Sequence, residues 1–199
     1  MADLLYLHGR GDTPESHPGS LVLQEMAQLT TLAPTLDDAW LGQPFGAQVE
    51  TVERWLGDVS AAAGHSWGAW LLLNAAHGRH RRGETFPPLL LLSALLGAGT
   101  LGGAGYLAPG ARAVGEALGL TASDPGRAAL PSDRITFVHG ENDEQCPVEL
   151  VRRLSGRYRV TIVPGGHRLD DPLAIEGVRE ALRSFTRERQ VDGAVDTGW

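Results

Sequence analysis

Ser66 stands in the pentapeptide Gly64-His65-Ser66-Trp67-Gly68, which has the pattern Gly-x-Ser-x-Gly. The pentapeptide follows a short apolar run and opens an apolar, helix-like segment, so we expect a sharp strand-to-helix turn. Glycines two residues before and after the serine avoid side-chain clashes in such a turn, where the serine takes a strained backbone conformation. The turn would lift the Ser66 hydroxyl clear of a sheet as a nucleophile. The alternative is an ordinary glycine-rich turn.

A serine hydroxyl needs a base to become a good nucleophile, and histidine is the natural choice near neutral pH. His167 is the candidate base because it directly follows an apolar run, in Pro164-Gly165-Gly166-His167, where two glycines let the loop return the imidazole over the sheet. A solvated loop histidine is the alternative role. His65 adjoins the serine in sequence, but on such a turn we expect its side chain to point elsewhere.

An acid must orient the histidine, and Asp143 is the candidate for this task. It lies in the segment His139-Gly-x-x-Asp143-x-x-x-Pro147, shortly after the apolar run that ends at Val138. Glu141 and Glu144 are rivals for the same role. A purely structural role of Asp143 in the turn is the alternative.

Short apolar runs that alternate with helix-like segments must position these three side chains. The runs at residues 4–7, 29–36, 59–64, 89–92, 135–138 and 160–163 predict strands. The segments 21–29, 47–56, 67–77, 112–118, 148–154 and 175–185 predict helices. Continuous apolar runs are typical of strands buried on both faces, so we predict an α/β fold with a mostly parallel sheet. Ser66, Asp143 and His167 each follow a predicted strand and should meet at the carboxyl edge of that sheet.

The chain order of serine, acid and histidine, together with four sequence segments, resembles the α/β-hydrolase superfamily. The segments are Leu7-His8-Gly9-Arg10-Gly11-Asp12, the serine pentapeptide, residues 139–147 and Gly165-Gly166-His167. The resemblance covers residues 4 to about 185, and the loop at 8–12 is similar to that of small single-domain carboxylesterases and acyl thioesterases. It implies a three-layer α/β-hydrolase fold with a sheet of about six strands, since the first two strands of the full fold are missing here.

The resemblance also implies an activity, that of a carboxylesterase-like serine hydrolase acting on a small-molecule ester or thioester through an acyl-enzyme, without a metal or organic cofactor. Ser66, Asp143 and His167 would form the catalytic triad. The backbone N–H groups of Trp67 and Arg10 would form the oxyanion hole. Two alternatives remain open: a catalytically slow module that binds a ligand or takes part in signalling, and a serine peptidase.

A long glycine-rich stretch separates the fourth and fifth predicted strands, which predicts a small lid over about residues 95–130. The candidates for the substrate walls are Trp67, Leu95, Leu96, Tyr106 and Leu107. Packing in the core or the lid would explain each of these residues equally well. Residues 97–102 also match the dinucleotide fingerprint Gly-x-Gly-x-x-Gly, but further glycines and a proline nearby disfavour the helix that it needs.

Composition is that of an ordinary globular domain, with 199 residues of which 42% are hydrophobic and 21% charged. We place a single domain at residues 1–190 and a frayed tail at 191–199. The formal net charge of −7 disfavours nucleic-acid binding. All 17 basic residues are arginine, which excludes lysine Schiff-base chemistry, and the single Cys146 excludes an intrachain disulfide.

No apolar run approaches the length of a membrane span, and no basic region precedes the first one. We therefore expect a cytoplasmic protein. The shortened sheet leaves an open edge, which a homodimer could cover.

Overall fold

The computed structural model describes residues 2–96, 98–101, 104–120 and 129–193, and describes the backbone alone for 98–101, 104–107 and 187–193. The strands are β1 (Leu4–Leu7), β2 (Thr31–Leu32), β3 (Ala61–His65), β4 (Leu89–Leu92), β5 (Ala98–Leu101), β6 (Ala104–Leu107), β7 (Ile135–Gly140) and β8 (Arg159–Val163). The helices are α1 (Gly19–Glu25), α2 (Asp38–Leu41), α3 (Phe45–Gly57), α4 (Trp67–Arg81), α5 (Ala111–Leu118), α6 (Val148–Arg152) and α7 (Pro172–Gly193).

Six strands form one sheet in the order β2-β1-β3-β4-β7-β8, and every neighbouring pair is parallel. Parallel neighbours require crossover connections, and the helices between the strands supply them. The predicted α/β architecture with a parallel sheet of about six strands is therefore confirmed.

Two apolar clusters, one on each face of the sheet, explain why the strands appear as continuous apolar runs. In β4, Leu89 and Leu91 belong to one cluster, whereas Leu90 and Leu92 belong to the other. The first cluster includes side chains of α3, α4 and α5, and the second includes those of α1 and α7. All four β4 leucines are fully buried because successive side chains point to opposite faces and helices cover both.

The second strand and the last helix differ from the predicted bounds. The predicted strand at 29–36 contains only the two residues of β2, at the edge of the sheet, because Pro34 cannot donate a ladder hydrogen bond. Helix α7 continues to Gly193 and so includes the first three residues of the segment predicted as a tail. Residues 194–199 lie outside the described part of the chain.

The insertion between β4 and β7 begins with an antiparallel hairpin of β5 and β6, followed by α5. Val114, Ala117 and Leu118 of α5 are buried in the same cluster as the side chains of α4. Residues 98–101 form a strand where the dinucleotide fingerprint would need a helix to begin. Parts of the predicted lid, residues 97, 102–103 and 121–128, lie outside the described residues, and its role as a lid stays a prediction.

Both outer strands of the sheet are short or partly exposed. β2 has two residues, and β8 has five, of which Arg159 is exposed. In the portion of the chain that the structure describes, none of the helices combines the length and apolarity needed to cross a bilayer.

Candidate active site

Ser66 lies at the turn between β3 and α4, as the pentapeptide predicts. Its φ of 53° and ψ of −115° are strained for a residue that carries a side chain. The Ser66 N–H donates to the Leu92 carbonyl oxygen at 3.0 Å, and the Ser66 carbonyl oxygen accepts from the Trp70 N–H at 3.0 Å. The neighbouring strand and the first turn of α4 therefore stabilise the strained residue at the carboxyl end of β3.

The two glycines of the pentapeptide are sites of close backbone approach. A Cβ atom on Gly64 would lie 2.8 Å from the backbone nitrogen of Ala69. A Cβ atom on Gly68 would lie 2.2 Å from the carbonyl oxygen of Leu7, at the end of β1. Both positions therefore have no room for a side chain. The absence of a side chain at Gly68 allows the loop after β1 to pack against the start of α4.

The imidazole of His167, in the loop between β8 and α7, bridges Ser66 and Asp143. Its Nε2 lies 2.8 Å from the Ser66 Oγ, and its Nδ1 lies 2.9 and 3.0 Å from the two carboxylate oxygens of Asp143. An ionised carboxylate can only accept, so the Nδ1 carries the proton and the Nε2 accepts from the Ser66 hydroxyl. Ser66, Asp143 and His167 are 7%, 7% and 4% exposed. The three predicted residues thus meet in a buried setting.

Asp143 is anchored by its own loop. Its Oδ1 accepts from the backbone N–H groups of Gln145 and Cys146, both at 2.8 Å. Burial alone would raise the pKa of Asp143, but the hydrogen bond and charge of His167, with smaller contributions from Cys146 and His139, lower it below the ordinary value. Asp143 is therefore ionised at neutral pH and aligned toward the imidazole.

The two rival acids have other partners. Glu141 is exposed and pairs with Arg152 at 3.1 Å. The Glu144 Oε2 accepts from the backbone N–H of His167 at 3.3 Å, so it contacts the loop rather than the ring. Of the three acids, Asp143 is the one whose carboxylate contacts the imidazole.

The loop after β1 lies directly beside Ser66. His8 stabilises this loop, because its Nε2 accepts from the Leu36 N–H at 2.8 Å and its Nδ1 donates to the Gly9 carbonyl oxygen at 2.7 Å. A Cβ atom on Gly9 would lie 3.3 Å from the Cβ of Ser66. The loop therefore passes so close to the serine that a side chain at position 9 would contact it.

Arg10 and Trp67 connect this loop to the start of α4. The Arg10 guanidinium lies over the Trp67 ring, 5.2 Å from its centroid. Within the described residues, no protein acceptor pairs with the backbone N–H of Arg10 or of Trp67. Neither N–H group is therefore used by a protein acceptor in the described part of the chain.

The Trp67 indole is partly exposed and is positioned by two side chains of α3. Its Nε1 donates to the Gln48 Oε1 at 3.4 Å, and Phe45 packs edge-on against it with ring centroids 5.8 Å apart. Sequence reasoning missed Gln48, which is only 3% exposed. The available signal was a polar residue on the apolar face of a predicted helix.

Two of the other candidates for the substrate walls are buried. Leu95 and Leu96 are 6% and 5% exposed and belong to the core cluster that contains the side chains of α4, in agreement with the packing alternative. The side chains of Tyr106 and Leu107 lie outside the described residues.

Two other side chains that could in principle do chemistry lie near the site, His65 and Cys146. The ring of His65 lies beside that of His167, with the two ring centroids 5.1 Å apart, and this contact was not predicted from the sequence. Burial raises the pKa of the Cys146 thiol to about 12, which makes Cys146 a poor nucleophile. The described residues contain no group of three or more metal-binding side chains that could hold an ion.

Comparisons with known proteins extend these findings. No protein-family model and no curated protein matches the sequence. The structure is similar to that of mouse alpha/beta hydrolase domain-containing protein 10, with a TM-score of 0.63 and 16% identity over 94% of this chain and 90% of that one. It is similar to Est1E from Butyrivibrio proteoclasticus with ferulic acid bound, with a TM-score of 0.64 and 16% identity over 96% and 90% of the two chains. It is also similar to the RedJ thioesterase from the prodiginine biosynthetic pathway in Streptomyces coelicolor, with a TM-score of 0.57 and 17% identity over 92% and 86%.

Proposed function

We propose that this chain, which has the α/β-hydrolase fold, is a serine hydrolase that cleaves a carboxylic ester or thioester of a small molecule. One observation carries the proposal: the His167 imidazole lies 2.8 Å from the Ser66 hydroxyl and 2.9 Å from the Asp143 carboxylate. In this order, a hydroxyl, an imidazole and a carboxylate allow a proton to leave the serine as the serine attacks.

The first half-reaction forms an acyl-enzyme. The Ser66 Oγ attacks the substrate carbonyl carbon while the Nε2 of His167 takes the hydroxyl proton. Asp143 accepts from the Nδ1–H and stabilises the imidazolium. When the tetrahedral intermediate collapses, His167 returns the proton to the departing alcohol or thiol, and the acyl group stays on Ser66.

The second half-reaction releases the carboxylic acid product. Water takes the place of the leaving group, and His167 accepts a proton from it as the water attacks the acyl carbonyl. Collapse of the second tetrahedral intermediate returns the proton to the Ser66 Oγ. The enzyme is then ready for another turnover.

The developing oxyanion requires donors beside Ser66, and we assign this role to the backbone N–H groups of Trp67 and Arg10. Their lack of a protein acceptor in the described structure supports the assignment. Such donors lower the barrier because they are already oriented toward the charge that forms in the transition state. Losing one donor typically costs about 10²–10³-fold in rate.

An ester or thioester is the class of substrate that we favour. RedJ, one of the neighbours in fold, is by name a thioesterase. The partly exposed indole of Trp67 offers an apolar surface beside the nucleophile for part of such a substrate.

The test is hydrolysis of p-nitrophenyl esters and matching thioesters of short acids by the full chain. The Ser66→Ala variant should lose activity by about 10⁴- to 10⁶-fold, because the nucleophile is gone. Ser20→Ala, at an exposed position on α1, is the matched control and should leave the rate unchanged. Unchanged hydrolysis in Ser66→Ala would contradict the proposal.

Two further results would favour the alternatives. Labelling of Ser66 by a fluorophosphonate probe, with no turnover of any acyl substrate, would indicate a ligand-binding or signalling module. Faster cleavage of amides than of matched esters would indicate a peptidase.

A further inference from the structure

His65, which the proposed mechanism does not use, lies where three loops of the candidate site meet. It precedes Ser66 in the chain and is 2% exposed. Its Nε2 lies 3.0 Å from the backbone carbonyl oxygen of His167. Its Nδ1 lies 3.7 Å from the Oδ2 of Asp12, in the loop that carries Arg10.

The proton of the His65 ring is assigned by its partners. A carbonyl oxygen can only accept, so the Nε2 carries the proton and its N–H donates a hydrogen bond to the backbone carbonyl oxygen of His167. Burial has the largest influence on the pKa of His65 and keeps it below the ordinary value, so the ring is neutral at neutral pH. Within the described residues the Nδ1 has no hydrogen-bond partner, as expected for a bare nitrogen opposite a carboxylate. The bond to His167 is thus the specific contact that this ring makes.

The loop that carries His167 is anchored unequally on its two sides. Toward the acid, the Asn142 N–H donates to the Gly165 carbonyl oxygen at 2.9 Å, and the His167 N–H donates to Glu144 at 3.3 Å. Toward the nucleophile, the bond from His65 is, among the described residues, the one that ties the backbone of His167 to the segment bearing Ser66. Loss of this bond would release the histidine loop on the side where the proton must pass.

We propose that His65 is a positioning residue, whose Nε2–H fixes the backbone of His167 relative to Ser66 and so sets the distance between the imidazole and the hydroxyl. The inference rests on the proposed function of the site. The two reacting atoms are 2.8 Å apart, and a hydrogen bond is lost within a few tenths of an ångström beyond 3.2 Å. Misplacement of a catalytic group by about 1 Å can cost about 10²-fold in rate.

The experiment compares His65→Gln with His65→Met. Glutamine keeps an N–H donor at about the position of the Nε2, whereas methionine has a similar length and no donor. We expect His65→Met to lower kcat by about 10- to 100-fold and to change KM by less than about twofold, since the bond orients a base and not the substrate. His65→Gln should recover most of the wild-type kcat.

His17 provides a matched control, because it lies in another segment and hydrogen-bonds to the loop that carries His167. Its Nε2 donates to the Leu169 carbonyl oxygen at 2.8 Å, two residues beyond His167, and His17 itself has no part in the proposed mechanism. His17→Met removes a bond of the same kind, so it should lower the unfolding temperature while kcat stays within about threefold of wild type.

Equal kcat values for the methionine and glutamine variants of His65, or an equal loss of kcat in His17→Met, would overturn the proposal. All rates are measured on an ester that the wild type hydrolyses, with Ser66→Ala alongside, so failure of the serine mechanism would appear separately in that variant. Circular dichroism checks folding. If His65→Met does not fold, His65→Asn, whose amide is too short to reach the carbonyl, replaces it with the same expected loss.

Discussion

The acid side and the nucleophile side of His167 are built in different ways. On the acid side, one short loop supplies its own bonds, since Asp143 accepts from two backbone N–H groups that follow it and His139 donates to the Cys146 carbonyl oxygen at 2.9 Å. On the nucleophile side, the contacts join segments far apart in the chain. His65 donates to His167, and Gly68 lies against Leu7.

This difference indicates where the site is robust and where it is sensitive. A turn whose backbone N–H groups bond the carboxylate of one of its own residues depends mainly on the few residues of that turn. A hydroxyl on a strained backbone keeps its place only while several separate elements stay packed around it. We therefore expect changes on the acid side to act through chemistry, and changes on the nucleophile side to act through geometry.

Among the changes that compare the two sides of His167, Asp143→Asn should have the largest effect. The asparagine oxygen can still accept the two backbone N–H groups, so the loop should keep its shape. The amide nitrogen, however, would present N–H to the Nδ1 of His167 and favour the wrong tautomer. We expect kcat to fall by about 10³- to 10⁴-fold with a nearly unchanged circular dichroism spectrum. A variant with normal kcat would show that the acid side does not act through the tautomer.

A smaller, geometric effect should come from Gly68→Ala. The added Cβ would meet the Leu7 carbonyl oxygen at 2.2 Å, so the loop after β1 must move away from Ser66. We expect kcat to fall by about 10²-fold and the free energy of unfolding to fall by about 1–3 kcal/mol. Steady-state kinetics and urea denaturation measure the two.

Gly46→Ala is the control for this substitution. Gly46 lies in α3, and nothing lies within 4 Å of a Cβ built there, so the variant should be neutral or more stable by about 0.5–1 kcal/mol. Equal losses of kcat in the two variants would refute the close approach at Gly68 as the cause.

The smallest effect is a pH dependence of stability, which both the acid side (through His139) and the nucleophile side (through His65) should show. Burial is the main reason that the pKa values of His65 and His139 lie below the ordinary histidine value. In the unfolded chain both rings take up protons below about pH 6.5, whereas in the folded protein they do so only at lower pH. The free energy of unfolding should therefore fall as pH decreases from about 6.5, by at most about 1.4 kcal/mol per pH unit for each ring.

Urea denaturation between about pH 7.5 and pH 5 measures this slope. His65→Gln and His139→Gln should each flatten it, because glutamine does not titrate. A slope that stays the same in both variants would mean that neither buried histidine resists protonation.

Much of the frame could be predicted because its signals are local. The bounds of β1 and β4 agree with the apolar runs at 4–7 and 89–92, since four consecutive apolar residues buried on both faces suit no exposed element. The strained turn at Ser66 is indicated by the glycines two residues before and after it. Asp143 and His167 each follow the end of a strand. Local motifs of this kind were sufficient to nominate all three side chains.

The residues that were missed or misjudged depend on contacts between distant segments. The contact of His65 with the loop of His167 was not predicted, because its partner lies 102 positions further along the chain. Gln48 contacts the Trp67 indole from another helix, and its place on an apolar helix face indicates burial but not this partner. Leu95 and Leu96 could have faced a substrate, but both are buried in a core cluster whose other members come from distant parts of the chain.

Sequence by itself determined the alternation of strands and helices, the strained turn and which three side chains were candidates for the site, because periodicity and turn chemistry act over a few residues. Only the tertiary structure decided the distances between those groups and which neighbours orient them. Parallel pairing sets Leu7 opposite Gly64 and so brings the loop after β1 beside the turn at Ser66. That register arises from the packing of the whole sheet between its helices, and no short stretch of the chain contains it.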